Sequence, residues 1–334
     1  MQQQQQQMEQ ISASDDVWLD VFDFFSPFEL GLKMALISDR LDALVDVHFK
    51  SRKWSLGKLV IRRAIGGNGA EIFNRFFERL PIPEGPPLPG KVISFDRIWI
   101  SYVDQSVIEF LERICGIFNS SGTNVFINTS DNQSRSLEII CKNIWPLVSG
   151  NICAFRLDSS AHFNNLRQFS PAILGNCAKL RSIHSYGLFP EFPAGDGADA
   201  SSAQAVAKWL LTPRGDGLPK MLHCDLYLAK MEGLKGSFVK AFEPVNFIIR
   251  ILQSSFSGIE QFELANNLTG ERLSLRQMDE SFHWLLIRCP IVREEDKWAN
   301  WEREANEFDW DSQLNRISIN FDDSEIGDAM ICGR

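Results

Sequence analysis

Over residues 15–44 the apolar positions recur at helical spacing in two phases, broken at Ser26-Pro27. In the first phase Val17, Val21 and Phe24 form a stripe that Trp18, Phe22 and Phe25 widen. Asp15, Asp16 and Asp20 load its first turns with carboxylate, the charge a helix N-terminus favours. Ser26 followed by Pro27 then opens a second helix with Glu29 in its first turn. Its seam is Leu30, Met34, Ile37, Leu41 and Leu44. A hairpin of about 40 residues is too small to bury these aromatics alone and is expected to pack on a larger body.

Arg52, Lys53, Lys58, Arg62 and Arg63 interleave with Trp54, Leu59, Val60 and Ile61, which reads as a solvated helix face. Gly66-Gly67-Asn68-Gly69 is a turn, and a helix carrying Ile72, Phe73, Phe76 and Phe77 is predicted over Ala70–Leu80. The proline-rich run Pro81–Gly90 reads as an extended linker.

Beyond it the rhythm changes. Strand-like runs centred on Ile98, Phe126, Phe155, Ile183, Leu222 and Phe262 alternate with helical segments. Those segments are Gln105–Phe118, Ser134–Val148, Asn164–Cys177, Ala203–Leu211 and Phe238–Leu252. A β–α unit repeated every ~30–40 residues is either a doubly wound sheet or an α/β solenoid. No glycine-rich phosphate turn follows the first strand, which argues against a dinucleotide fold. Pro190–Ser202 reads as a mobile surface loop. Arg272–Arg276 and Ser281–Arg288 read as strands closing a sheet edge, and Arg316–Phe321 as a last strand. Glu294–Glu307, with Trp298 and Trp301 on one face, is expected to be a helix capping the end of the repeats. The predicted organisation is a disordered polyglutamine leader (1–12), a helical hairpin (13–54), a linker (55–90), an α/β repeat-like domain (91–321) and a tail (322–334).

Composition narrows the function classes. The 334 residues are 44% hydrophobic and 23% charged, values of a globular protein. No uninterrupted apolar run of about 18 residues exists and the first residues lack a basic-then-apolar signal, so neither a membrane partner nor secretion is expected. A net charge of −9 argues against nucleic acid as the main partner. The seven cysteines are scattered without a CxxC pair, as expected of core residues in the cytosol or nucleus.

The hairpin also carries a resemblance. Asp16-Val17-Trp18-Leu19-Asp20-Val21-Phe22-Asp23-Phe24-Phe25, Ser26-Pro27-Phe28-Glu29-Leu30 and Ile37-Ser38-Asp39-Arg40-Leu41 resemble, in order, the F-box of SCF-type cullin–RING ubiquitin ligases. Ala13-Ser14 stands where that family opens with Leu-Pro, Asp39 replaces a basic residue and Leu41 a tryptophan. Leu80-Pro81-Ile82-Pro83, Val92-Ile93-Ser94-Phe95, Ile100-Ser101-Tyr102-Val103-Asp104, Leu268-Thr269-Gly270-Glu271-Arg272-Leu273 and Leu286-Ile287-Arg288-Cys289-Pro290 look like the expanded nematode F-box family. The resemblance implies an F-box followed by a leucine-rich-repeat-like α/β domain, without the LxxLxLxxN register. It implies a substrate-recruiting subunit whose partners are a Skp-type adaptor, the cullin complex and an unidentified protein substrate. The adaptor-binding residues it implies are Val17, Trp18, Phe22, Phe25, Pro27, Leu30, Ile37 and Leu41. An ordinary hairpin capping a free-standing α/β interaction protein is the alternative.

Catalysis is not expected, and neither is a metal or other cofactor. His48, His162, His184, His223 and His283 are isolated, and HExxH, GxSxG and CxxC are missing. His223-Cys224-Asp225 cannot converge within a strand, because its middle residue points the other way. If Ile98, Phe155, Leu157, Ile183, Leu222, Leu226, Phe262 and Leu264 face a core, the period of two leaves a substrate-binding set on the other face. That set is Arg97, Trp99, Arg156, Asp158, His184, Tyr186, His223, Asp225, Tyr227 and Glu263. It mixes aromatic anchors with both signs of charge, as protein-recognition surfaces do.

Overall fold

The structure is a computed structural model. It describes residues 13–25, 29–30, 34–35, 37–51, 54–74, 79–83, 92–120, 122–130, 132–225, 227–252, 260–278, 283–328 and 330. The leader, Pro27, the run 84–91 and residues 331–334 lie outside the described residues. Among the described residues, N-terminal helices α1 (Asp15–Phe22) and α2 (Asp39–Ser51) are followed by strands β1 (Trp54–Ser55), β2 (Lys58–Arg63), β3 (Ala70–Asn74), β4 (Arg79–Pro81), β5 (Val92–Ser94) and β6 (Arg97–Ile100). Then strands and helices alternate: α3 (Gln105–Ser120), β7 (Thr123–Ile127), α4 (Ser134–Ile139), α5 (Trp145–Val148), β8 (Ile152–Leu157), α6 (Ser160–Phe169), β9 (Ser182–Ser185), α7 (Ser202–Leu211), β10 (Lys220–Asp225), α8 (Leu228–Val239) and β11 (Phe247–Leu252). The chain ends with β12 (Phe262–Asn266), β13 (Glu271–Gln277), β14 (His283–Pro290), α9 (Glu295–Glu307) and β15 (Arg316–Ile319).

The protein is mixed α/β, built on a 13-stranded sheet of order β12-β13-β14-β11-β10-β9-β8-β7-β15-β6-β2-β3-β4. The run from β2 through β6, β15, β7, β8, β9 and β10 to β11 is parallel. Antiparallel strands close both edges. From β6 to β11 the strands follow chain order, except that the last strand, β15, is inserted between β6 and β7. One face of the sheet buries Ile98, Val125, Phe155, Ile183, Leu222 and Ile249 in the same core as helix residues Leu111, Leu137, Leu166, Val206 and Leu234.

Local chemistry fixes the helix starts. Asp104 accepts from Val107 N at 3.0 Å ahead of α3, and Ser201 and Gln204 form a capping box on α7. A π-helical turn, Ile140–Ile144, lies between α4 and α5, where Pro146 can make no helical N–H bond.

Several sequence expectations change. Ala70–Leu80 contains strands β3 and β4 instead of a helix; β3 pairs with β2 through a hairpin whose Gly66, Gly67 and Gly69 all have positive φ. Residues 58–63 form β2, paired with β6 in the main sheet, so the stretch read as linker supplies three of its strands. The predicted helix Phe238–Leu252 ends at Val239 and becomes β11, because Pro244 lies between and cannot continue a helix. Residues 322–328 of the tail are docked: Ile326 bridges to Val103, and Gly327 N donates to Val103 O at 2.8 Å. The loop 190–202 is tied down as well, by Arg167 donating to Gly197 O at 2.8 Å and to Ala200 O.

Helix α9 lies across the second face rather than at the end of a stack. There Trp298 and Ala305 cluster with Met221, Ile248, Leu285 and Ile287. Nearby, on the core side, Arg288 and Glu271 form an ion pair at 2.6 Å, each about 1–2% exposed. Arg288 also donates to Glu243 O at 3.0 Å, and Glu271 accepts from Val245 N at 2.8 Å. Arg288→Met is expected to cost about 3–5 kcal/mol in a urea melt, because it strands a buried carboxylate. A chain beginning at residue 91 lacks β2 and leaves the edge of β6 unpaired; it should self-associate on size exclusion, whereas a single stable species would show β2 to be dispensable.

Candidate functional site

The strand registers line up one row of side chains across the face opposite the main helical core. From β2 to β14 it reads Val60, Trp99, Ser318, Phe126, Arg156, His184, His223, Arg250 and Leu285. A strap, residues 308–315, leaves α9 and crosses this face before entering β15. It turns at Asn315, whose φ of 52° is the left-handed conformation asparagine tolerates. That turn is held twice: Asn315 N donates to Phe95 O at 2.9 Å, and Phe95 N donates to Asn315 Oδ1 at 3.0 Å.

Between strap and sheet lies a cavity of about 240 Å³, at the C-terminal ends of β9, β10 and β11. Its floor carries Arg156, His184, His223 and Arg250; Tyr186, His283, Phe308 and Trp310 are among its walls. The imidazoles of His184 and His223 stack with centroids 3.9 Å apart and planes at 17°. Phe308 lies 4.2 Å from His184. The Arg156 guanidinium lies over the Phe126 ring at 4.9 Å and reaches Asp158 only at 3.7 Å. Ser182 Oγ and His184 Nε2 share a hydrogen bond of 2.8 Å. Arg250 makes no hydrogen bond or ion pair among the described residues, and its Nε and His223 Nε2 are buried without a partner.

Burial, then the neighbouring His223, then Arg156 and Arg250 hold His184 well below the ordinary imidazole value. Burial and Arg250 push His223 down to about 3. Both rings are therefore neutral at pH 7.

The residues anticipated for substrate divide into groups. Arg156, His184, Tyr186 and His223 meet in the cavity. Asp158 lies beside Arg156, and Asp225 accepts from Gly187 N at 3.2 Å. Tyr227 is exposed just beyond β10, near Lys230. Arg97 is engaged with Asp311 of the strap at 3.2 Å, and Trp99 Nε1 donates to Asn320 Oδ1. Glu263 lies apart on the edge strand β12, beside Arg272 and Arg276. Sequence reasoning missed Arg250, His283, Phe308 and Trp310. Arg250 had a signal, one charge in the run Phe247–Leu252 with isoleucines on both sides, but that run was read as helix.

Of the anticipated adaptor residues, Phe22, Leu30 and Leu41 are buried. Phe22 packs edge-on against His48 at 5.6 Å, and His48 lies 4.9 Å from Trp54 of β1, which anchors the hairpin to the body. Trp18 and Phe25 are half-buried, Val17 and Ile37 are exposed, and Pro27 lies outside the described residues.

The chain matches no protein-family model, no curated protein and no solved structure. Among the described residues no group of three or more His, Cys, Asp or Glu is placed to hold a metal, and no helix is long and apolar enough to cross a membrane.

The depressed histidines make stability depend on pH. Below about 6.5 the unfolded chain takes up protons that the folded His184 and His223 refuse, so stability falls with pH, for His223 down to about 3. Each such group contributes a slope of roughly 1.4 kcal/mol per pH unit in that window. His223→Phe should flatten the fall in thermal midpoint between pH 6.5 and 4; an unchanged profile would show His223 to be protonated in the folded protein.

Proposed function

We propose that this protein is a non-catalytic substrate-recruiting subunit of an SCF-type ubiquitin ligase in the cytosol or nucleus. In this reading α1 and α2 are an F-box that binds a Skp-type adaptor, and the leucine-rich-repeat-like α/β body binds the substrate protein. The observation that carries it is the distribution of apolar residues on the hairpin. Leu30, Leu41, Leu44 and Phe22 are buried, while Val17 (50% exposed), Phe24 (88%) and Ile37 (64%) stay outside. A helical hairpin that keeps large apolar side chains exposed after satisfying its own core has surface left for a partner. The consecutive order of the parallel strands from β7 to β11 supports the repeat-like reading of the body.

A second reading has its own support. The Phe22–His48–Trp54 contacts knit the hairpin into the body, as in a capping element of a free-standing interaction protein. The two readings separate in a pull-down with the Skp-type adaptor. The wild-type chain should be retained. Val17→Asp with Ile37→Asp should weaken retention by about 2–4 kcal/mol while leaving the thermal midpoint nearly unchanged, since both side chains are exposed. Phe22→Ala should instead cost about 3–5 kcal/mol of stability. A wild-type chain that does not bind the adaptor, or a double aspartate variant that binds normally, rejects the ligase reading.

A further inference from the structure

The cavity under the strap is built for something that the described residues do not supply. Arg250 stands on a central strand with a guanidinium that has neither a carboxylate nor a carbonyl to donate to among those residues. Arg250 is only half-buried, but its Nε is enclosed without an acceptor, a costly placement for a charged group unless something meets it. Two more deeply buried arginines of the sheet each have a carboxylate partner. Arg288, on the neighbouring β14, holds Glu271 at 2.6 Å, and Arg316 on β15 holds Asp311 at 2.8 Å. Beside Arg250, His223 Nε2 is also buried without a partner, and the only carboxylate near Arg156 among the described residues is Asp158 at 3.7 Å.

Acidic groups do line the mouth, but they are engaged elsewhere. Asp311 accepts from Arg316 and Arg97, and Asp309 accepts from Asp311 N at 3.0 Å within the strap. The floor therefore presents two guanidiniums and an unsatisfied imidazole nitrogen, with His184, Tyr186, Phe308 and Trp310 as flat walls. The site lies where parallel sheets place their ligands, at the carboxyl ends of the strands.

We infer that this cavity binds an oxyanion, a carboxylate or phosphate monoester, carried on a small flat or apolar body. Arg250 and Arg156 donate to the anionic oxygens, as guanidinium forks do, and the aromatic walls stack on the body. The volume, about 240 Å³, suits an anionic group with a single ring better than an extended ligand. The assignment goes beyond the ligase reading and does not need it, because the hairpin residues that would bind an adaptor take no part in the cavity.

The test is calorimetric titration of the full chain with phenyl phosphate, benzoate, inorganic phosphate and, as a neutral control, benzyl alcohol. A short peptide containing phosphotyrosine provides the same group on a chain. The ring-bearing anions should bind with a Kd of about 1 mM or tighter, and benzyl alcohol should not. Arg250→Gln should weaken them at least about tenfold while leaving the unliganded thermal midpoint nearly unchanged, since it removes a half-buried guanidinium that no described carboxylate pairs. Should that variant fail to fold, Arg156→Gln carries the same expectation of weakened binding. Peptide binding at the strength of phenyl phosphate would assign the anion to a protein side chain; binding of the free acids alone would assign it to a small molecule. Absence of binding by every anion, equal binding of benzyl alcohol, or full affinity in a folded Arg250→Gln or Arg156→Gln chain overturns the inference. The adaptor pull-down is unaffected by either arginine variant, so the two proposals fail separately.

Discussion

The pairing of β15 between β6 and β7 is the constraint on which the rest of the structure depends. Four residues, Arg316–Ile319, hydrogen-bond on both sides and are all buried, so the parallel run of the sheet is continuous only through them. Without that strand β6 and β7 would each present an open backbone edge in the middle of the molecule. The strap that delivers β15 must cross the second face to reach its slot. The same requirement therefore places Phe308 and Trp310 over the imidazoles and closes the cavity.

The two faces of the sheet are treated differently as a result. The helical side is filled by aliphatic and aromatic packing, interrupted near one edge by the fully satisfied Arg288–Glu271 pair. The other side has a short apolar cluster under α9 and, beside it, a polar row that the strap only partly covers. Neutral histidines stacked between two guanidiniums are a costly arrangement for stability alone. Their concentration on one row, at the strand ends, marks a functional site.

Much of the body was legible because buried parallel strands are short runs of valine, isoleucine and phenylalanine, and in four of the six runs the central residue faces the core, whereas Phe126 lies on the opposite face and Phe262 is half-buried on an edge strand. Ile98, Phe155, Leu157, Ile183 and Leu222 are buried, and Arg156, His184 and His223 share the opposite face. The errors have local causes. In Ala70–Leu80 the spacing of Ile72, Phe73, Phe76 and Phe77 suits a helix as well as it suits strands. In Phe238–Leu252 Pro244 was given too little weight, and with it Arg250 was lost. The slot occupied by β15 was not legible at all. Its own alternation marked it as a strand, but nothing within a few residues of it names partners so far away in the chain. On the hairpin Leu30, Leu41 and Leu44 are buried, but Leu41 and Leu44 lie on a helix that begins at Asp39 rather than on one continuous seam from Leu30, and Ile37 is exposed.

The slot also orders events in time. Asn315 meets Phe95 across 220 residues of intervening chain, and the contact of Asn124 with Leu314 spans 190. During synthesis β6 and β7 leave the ribosome long before the strand that separates them exists, and they must remain available without joining each other. A direct β6–β7 ladder would be a trap, compact and parallel, that has to reopen to admit the last strand. Contacts of this length make folding slow relative to chains built from local pairings. The nascent protein therefore carries two exposed strand edges through most of its translation, the period in which a chaperone has the most to protect.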